Sequence, residues 1–319
     1  MSQRISNFVQ GEYKRVVRFA LGAVVALLAG GWFRPTFAQE AGQQTFASTQ
    51  DAAHALFVAM QAPNEQAALS VLGPTAKEVL SSGDPTQDAD TKAGFVVRYQ
   101  AMHRFVTEAD GTVTLIVGAE NWPFPIPLVN KQGKWYFDTD AGKDEILFRR
   151  IGENEIAAQD ACQNLVEAEK EYFARPPAGL PKQFAQKLVS TEGRHDGLYW
   201  HGAYDEFYSP INALIAYAYG TGAKNQVGDP VPYNGYFFRI LTRQGPHAPG
   251  GTKSYVVNGV MTEGFAFIAY PAEYSSSGVM TFIVDESGTI YEKDLGPDTT
   301  KIAEGTTSYD PDSTWHAAE

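Results

Sequence analysis

The run His195-Asp196-Gly197-Leu198-Tyr199-Trp200-His201, followed by Asp205 and Glu206, is the densest concentration of chemically capable side chains in this chain. It holds two imidazoles, three carboxylates and adjacent aromatic rings. Imidazoles change protonation near neutral pH and can pass protons. Two histidines separated by five residues, beside Asp or Glu, can also hold a metal. The same residues describe a packed turn equally well, with Asp196-Gly197 turning the chain and Tyr199-Trp200 pinning it down. The turn is the favoured reading, ligand or peptide binding comes next, and metal or catalytic work last. No nucleophile sits in a recognisable elbow and no His-Glu-x-x-His pattern occurs. The candidate binding residues are therefore His195, Asp196, Tyr199, Trp200, His201, Asp205 and Glu206. No catalytic residue, metal ligand or cofactor is assigned.

Other motifs carry less. Gln244-Gly245-Pro246-His247-Ala248-Pro249-Gly250-Gly251 is glycine-rich but lacks the Lys-Ser/Thr ending and following helix of a phosphate loop. It reads as a strand-to-strand loop. Asp138-x-Asp140-x-Gly142-x-Asp144 has the opening spacing of a calcium loop, but Arg149 stands where the twelfth-position Glu belongs. Capping of the following helix explains those acids more simply. Cys162 is the only cysteine, so an intramolecular disulfide is impossible, and its apolar neighbours make it a small buried hydrophobe. His54 and His103 stand alone and read as packed or surface residues. Trp122-Pro123-Phe124-Pro125-Ile126-Pro127 reads as a proline-protected strand edge, with partner docking as the lesser alternative.

The elements that must position these residues divide in two. Ser48-Thr49-Gln50-Asp51 starts a helix through AAHALFVAMQ, with apolar residues at helical spacing. Helices over 64–72 and 75–80 follow, the last stopping near Gly83-Asp84-Pro85, after which strands are expected to dominate. Asp110-Gly111 and the Asn130–Gly133 stretch mark two hairpins. Helices followed by a curved antiparallel sheet resemble the cone of ketosteroid isomerase and its relatives. Glu145–Phe173 is the longest helix candidate, with Leu147, Ile151, Ala158, Cys162, Leu165 and Tyr172 along one face. From 235 the chain is β-rich, with an Asn258-Gly259 turn and an Asp285–Gly288 turn. The tail from Gly305 reads as loose. The expected class is α+β: N-terminal helices and a cone-like sheet (39–140), then a long helix and an antiparallel sheet packed on it (141–300), then a flexible tail (301–319).

The first 38 residues read as a secretory signal. Arg4, Lys14, Arg15 and Arg18 precede an apolar run of about fifteen residues, Phe19 to Phe33, short of the about twenty a membrane span needs. Thr36-Phe37-Ala38 offers small residues for a cut after Ala38. An uncleaved anchor is the alternative and the only expected membrane contact. The whole chain carries 25 basic and 37 acidic residues, net −12; loss of five bases and one acid with the leader leaves 20 against 36, net −16. Such a surface repels phosphates and anionic lipid heads, which sets nucleic acid aside as a partner.

Several long strings resemble a bacterial family of unknown function, domain-of-unknown-function family 2950. They are Gly193–Trp200, Pro232–Leu241, Gln244-Gly245-Pro246, Ala248–Gly251 and the run from Tyr255 to Pro297, and the resemblance spans Phe46 to Pro297. It implies an exported bacterial protein and brings no catalytic residues. A helix followed by an antiparallel sheet is also similar to pilin heads, although pilins place that helix directly after the leader. The expected function is a non-enzymatic binding or scaffolding module of the cell envelope, periplasmic or secreted, whose partner is an envelope protein or a small ligand. A hydrolase or isomerase using His195–Glu206, and a pilus- or secretion-associated subunit, are the alternatives.

Overall fold

Asp84 and Pro85 start an element that the strand expectation missed. The computed structural model describes residues 41–177, 179–200, 209–212, 215, 216, 218 and 230–318. In it, Pro85–Ala101 is a 17-residue helix. Asp84 Oδ1 accepts hydrogen bonds from the Thr86 and Gln87 amides at 3.0 and 3.1 Å, and Pro85 takes the first-turn position where a missing N–H costs nothing. Only Phe95 and Tyr99 are fully buried from this helix, so its apolar periodicity is too thin to announce it.

The remaining N-terminal helices stand close to where the sequence puts them. These are α1 (Thr49–Met60, capped by Ser48), α2 (Gln66–Leu72) and α3 (Lys77–Leu80, after a 3-10 turn at Pro74–Ala76), with α4 being Pro85–Ala101. Strands β1 (His103–Thr107), β2 (Val113–Val117), β3 (Trp122–Pro123), β4 (Leu128–Lys131) and β5 (Lys134–Phe137) form one antiparallel sheet. Its order is β1-β2-β4-β5, with β3 paired to β2. Helices α1, α2 and α4 pack on this sheet around Leu56, Leu72, Leu115, Leu128 and Phe137, each at most 1% exposed.

Helix α5 runs unbroken from Thr139 to Ala174, 36 residues, six residues earlier at its start than the apolar stripe suggests. The cause is a cap: Asp138 Oδ1 accepts from the Ala141 amide at 3.4 Å. Asp138, Asp140 and Asp144 thus stand at the cap and in the first turns of a helix and not in a loop. Gly142 in the second turn is required sterically, because a Cβ there would lie 2.7 Å from Ile126 Cα and 2.8 Å from Pro125 O.

Beyond α5, strands β6 (Tyr236–Leu241), β11 (Ala266–Pro271), β12 (Met280–Asp285), β13 (Ile290–Asp294) and β14 (His316–Ala317) make a second antiparallel sheet in the order β14-β13-β12-β11-β6. Two small ribbons, β7 (Arg243–Gln244) with β8 (Lys253–Ser254) and β9 (Val256–Val257) with β10 (Val260–Met261), flank it. The β9–β10 turn has Asn258 and Gly259 at φ 50° and 82°, as an Asn-Gly hairpin requires. Every residue of β11 is buried, because α5 contacts it and so does a short helix α6 (Thr299–Gly305).

The tail is correspondingly not loose. Residues 299–305 form α6, Tyr309 is 1% exposed and bridges Gln244, and β14 extends the sheet. One aromatic anchor and one short edge strand suffice to order a segment whose polar composition suggests otherwise. From Ala158 onward the apolar face of α5 is covered within the chain: Ala158, Cys162, Leu165 and Val166 are 0% exposed against the second sheet. That covered face is the one a pilin-like assembly would need. Among the described residues no helix is long and apolar enough to cross a membrane.

Candidate functional site

His195, Asp196, Tyr199 and Trp200 lie in a short loop structure, while His201, Asp205 and Glu206 fall outside the described residues. The His195 ring packs on Trp200 with centroids 4.6 Å apart, and its carbonyl accepts from Tyr172 Oη at 2.7 Å. The Asp196 carboxylate accepts from the Thr191 amide at 2.7 Å, from Thr191 Oγ1 at 2.9 Å and from Lys187 Nζ at 2.8 Å. Burial raises its pKa, but the lysine and threonine donors win and hold it below the ordinary carboxylate value. Tyr199 forms a parallel bridge with Val189, and Trp200 is 8% exposed. The four described residues thus close a turn against α5, with Asp196 directed at its own loop. Among the described residues no group of three or more His, Cys, Asp or Glu could hold a metal ion.

The other motifs resolve locally. Gln244–Gly251 connects β7 to β8, and Gln244 Nε2 donates to Pro249 O and Gly251 O, both at 2.7 Å. The exposed His247 ring meets Asp310 Oδ2 at 3.0 Å, which raises its pKa. His103 stacks on Tyr99 with centroids 4.0 Å apart. Cys162 is fully buried and its thiol is pushed up to about 12 by burial, so it does not form a thiolate near neutral pH.

A concave site lies elsewhere, between α4, the start of α5 and the Trp122–Ile126 segment. It is a cavity of about 240 Å³. Its floor is apolar: Leu72, Val79, Phe95, Phe124, Ile126 and Ile146. Charge gathers at its walls: Asp88, Lys92, Arg98, Arg149, Arg150 and Glu153. The fold places them by simple repeats. Arg98 is on the exposed side of α4, one turn after Phe95 faces inward. Arg149, Arg150 and Glu153 occupy consecutive turns of α5, and the close approach at Gly142 brings α5 onto Pro125 and Ile126.

Most of these charges are already engaged. Lys92 pairs with Glu65 at 3.7 Å, Arg98 Nε with Glu120 at 2.7 Å, and Arg149 Nε with Glu145 at 2.7 Å. Arg149 Nη1 also donates to Pro123 O at 2.9 Å. Arg150 donates to the Val79 and Ser81 carbonyls, and burial pulls its pKa down against the field of Asp88 and Glu273. Asp88 accepts from the Ser82 amide at 3.0 Å. The two guanidiniums of Arg98 and Arg149 lie 5.9 and 5.3 Å from the Trp122 ring centroid, within cation–π range. Glu153 keeps solvent access at the mouth, yet it is walled closely enough that burial pushes its carboxyl up, while Arg149 and Arg98 pull it down. Deeper in, Gln87 Nε2 donates to Asn154 Oδ1, and Gln87 Oε1 is buried without a hydrogen-bond partner among the described residues.

Sequence reasoning passed over this site because its charges come from three separate stretches with no motif among them. The available signal was Asp84-Pro85 with Asp88, a helix start that would have put Phe95 and Arg98 on adjacent turns.

An α+β chain with one sheet under helices, a second sheet on a shared helix and a charged-mouth cavity in its first half is what this sequence builds. The chain belongs to the family described as protein of unknown function DUF2950, whose model matches residues 43–318. No curated protein and no solved structure matches it.

Proposed function

We propose that this protein is an exported component of the bacterial cell envelope that binds a small molecule without transforming it, in the cavity between α4, α5 and Trp122–Ile126. The observation that carries this reading is the cavity itself, an apolar floor under a ring of charged side chains. A concave, mostly apolar site with a few placed polar groups is the usual form of a small-molecule site. Its described lining holds no His, Cys, Ser or Tyr, and of its other reactive groups Asp88 and Lys92 are held by the Ser82 amide and by Glu65. The basic, apolar and small-residue succession of the first 38 residues supports export.

Two measurements test the two parts. Fractionation of cells expressing the full chain, with sequencing of the mature N-terminus, should find a periplasmic or secreted form beginning at Gln39. Retention in the cytoplasm with residues 1–38 intact would refute export. A fragment screen by ligand-observed NMR should yield hits that vanish in Leu80→Phe, which fills the cavity. Hits that persist unchanged in that variant would remove the cavity as the binding site.

A further inference from the structure

Within that binding reading, on which this inference rests, the geometry points to the class of ligand: we propose that the cavity takes a small organic monoanion, a single ring or short acyl chain bearing one carboxylate, read by Arg98 and Arg149 across the Trp122 ring. Size comes first. At about 240 Å³ the cavity falls below the roughly 300–1,000 Å³ of drug-sized sites, so the ligand body is small. The floor of Phe95, Phe124, Ile126, Leu72 and Val79 asks that this body be apolar.

The mouth sets the sign of the charge. Arg98 and Arg149 each reach a carboxylate through Nε alone. Arg149 spends Nη1 on Pro123 O, which leaves Arg149 Nη2 and the terminal nitrogens of Arg98 with no hydrogen bond to a described residue. Arg98 Nη1 lies over the α4 backbone, 2.9 Å from where a Cβ of Gly94 would stand. Both existing ion pairs involve partly exposed side chains, and pairs of that kind are worth little, so exchange for a ligand carboxylate costs little. Two guanidiniums already lie over the Trp122 ring, and their charge disfavours an ammonium at the same place. Glu153, a lining acid with no direct partner among the described residues, has Arg149 and Arg98 as its nearby charges. Guanidinium forks match carboxylates bidentately.

The test uses isothermal titration of the full chain with two bodies, each carrying three heads: phenylacetate, 2-phenylethanol and phenethylamine, and hexanoate, hexanol and hexylamine. At least one acid should bind about tenfold or more tightly than its alcohol, the scale of one charge-assisted hydrogen bond, and its amine should not bind. Arg149→Gln and Arg98→Gln should each weaken that acid about tenfold while leaving the alcohol unchanged, and added salt should weaken the acid alone. Arg149→Lys keeps the charge but loses the fork and should fall between; circular dichroism checks that each variant is folded. An alcohol or amine that equals the acid, with binding still lost in Leu80→Phe, overturns the anion assignment and leaves the cavity as a binding site. Absence of binding by both acids overturns the proposal, and absence of binding by all six probes together with no cavity hit in the fragment screen overturns the binding reading as well.

Discussion

In the C-terminal cluster, both α5 and α6 pack on β11, and Phe265, Phe267, Tyr270 and Phe282 are all 0% exposed. In the N-terminal cluster, α4 and the start of α5 approach the Trp122–Ile126 segment but leave about 240 Å³ between them, with Arg98, Arg149 and Glu153 at the opening. Both halves are α+β, and both lean on the same helix. They differ in what that helix presents. Around Ala158–Val166 it offers small and branched apolar side chains, which let a sheet come close. Around Ile146–Glu153 it offers two arginines and a glutamate, whose long stems hold the neighbouring elements apart. One region buries its large aromatic side chains completely, and the other gives up some packing to keep a space lined by charge.

The sharpest way to break that comparison is to truncate a large side chain in the filled half. Phe267→Ala should cost about 3–5 kcal/mol, measured by denaturant unfolding. A loss below about 1 kcal/mol would show that the C-terminal core is looser than its burial indicates. Next in size is the polar seam joining the halves. Asn154, 1% exposed, receives Gln87 Nε2 from α4 and donates to Ser277 O at 2.8 Å. Asn154→Ala should cost about 1–3 kcal/mol by leaving those groups unpaired, and hydrogen exchange should quicken in α4 and around Ser277 together. Quickening on one side alone would mean the seam does not couple them.

A smaller, pH-dependent effect probes the filled half. Glu169 is fully buried on α5; its Oε2 accepts from the Ala185 amide at 2.8 Å and its Oε1 has no partner among the described residues. Burial raises its pKa well above the ordinary 4.5, against the Ala185 hydrogen bond. A carboxyl held protonated in the folded state binds more protons there than when unfolded. The stability it supports is full below the unfolded pKa and falls as pH climbs from there towards the raised folded value. Glu169→Gln should therefore match the wild type near pH 4 and overtake it progressively as the pH rises above that in thermal unfolding; parallel pH curves would refute this. Smallest of all, Leu80→Phe in the hollow half should change stability by no more than about 1 kcal/mol. A large loss there would mean that the space is not available.

Much of this architecture was legible from local chemistry. Ser48, Gly73-Pro74, Asn258-Gly259 and Asp285–Gly288 each start, stop or turn the chain by their own geometry, and the α5 stripe repeats strongly enough to show which face is buried. What local chemistry misses is contact at a distance. The helix Pro85–Ala101 buries only Phe95 and Tyr99 completely, so its pattern is faint. The order of the tail depends on Tyr309 meeting Gln244, 65 residues away in sequence. The cavity needs Gly142 to press on Ile126 and Arg149 to reach Trp122, pairings that no spacing rule contains. The His195–Trp200 run was conspicuous for the opposite reason. Its residues are adjacent, but adjacency in a turn spends the Asp196 carboxylate on Thr191 and Lys187.

Helix α5 is 36 residues long, about 54 Å at 1.5 Å per residue, and its two ends serve different neighbours. Ile146, Arg149, Arg150 and Glu153 wall the cavity, while Cys162, Leu165 and Tyr172 roof the second sheet. A chain cut near residue 140 would carry away a pocket with one side missing and leave behind a helix with half its length bare. A duplication or shuffling event that parted the two halves would hand on a cavity without its α5 wall and a sheet whose roofing helix had lost its other partner.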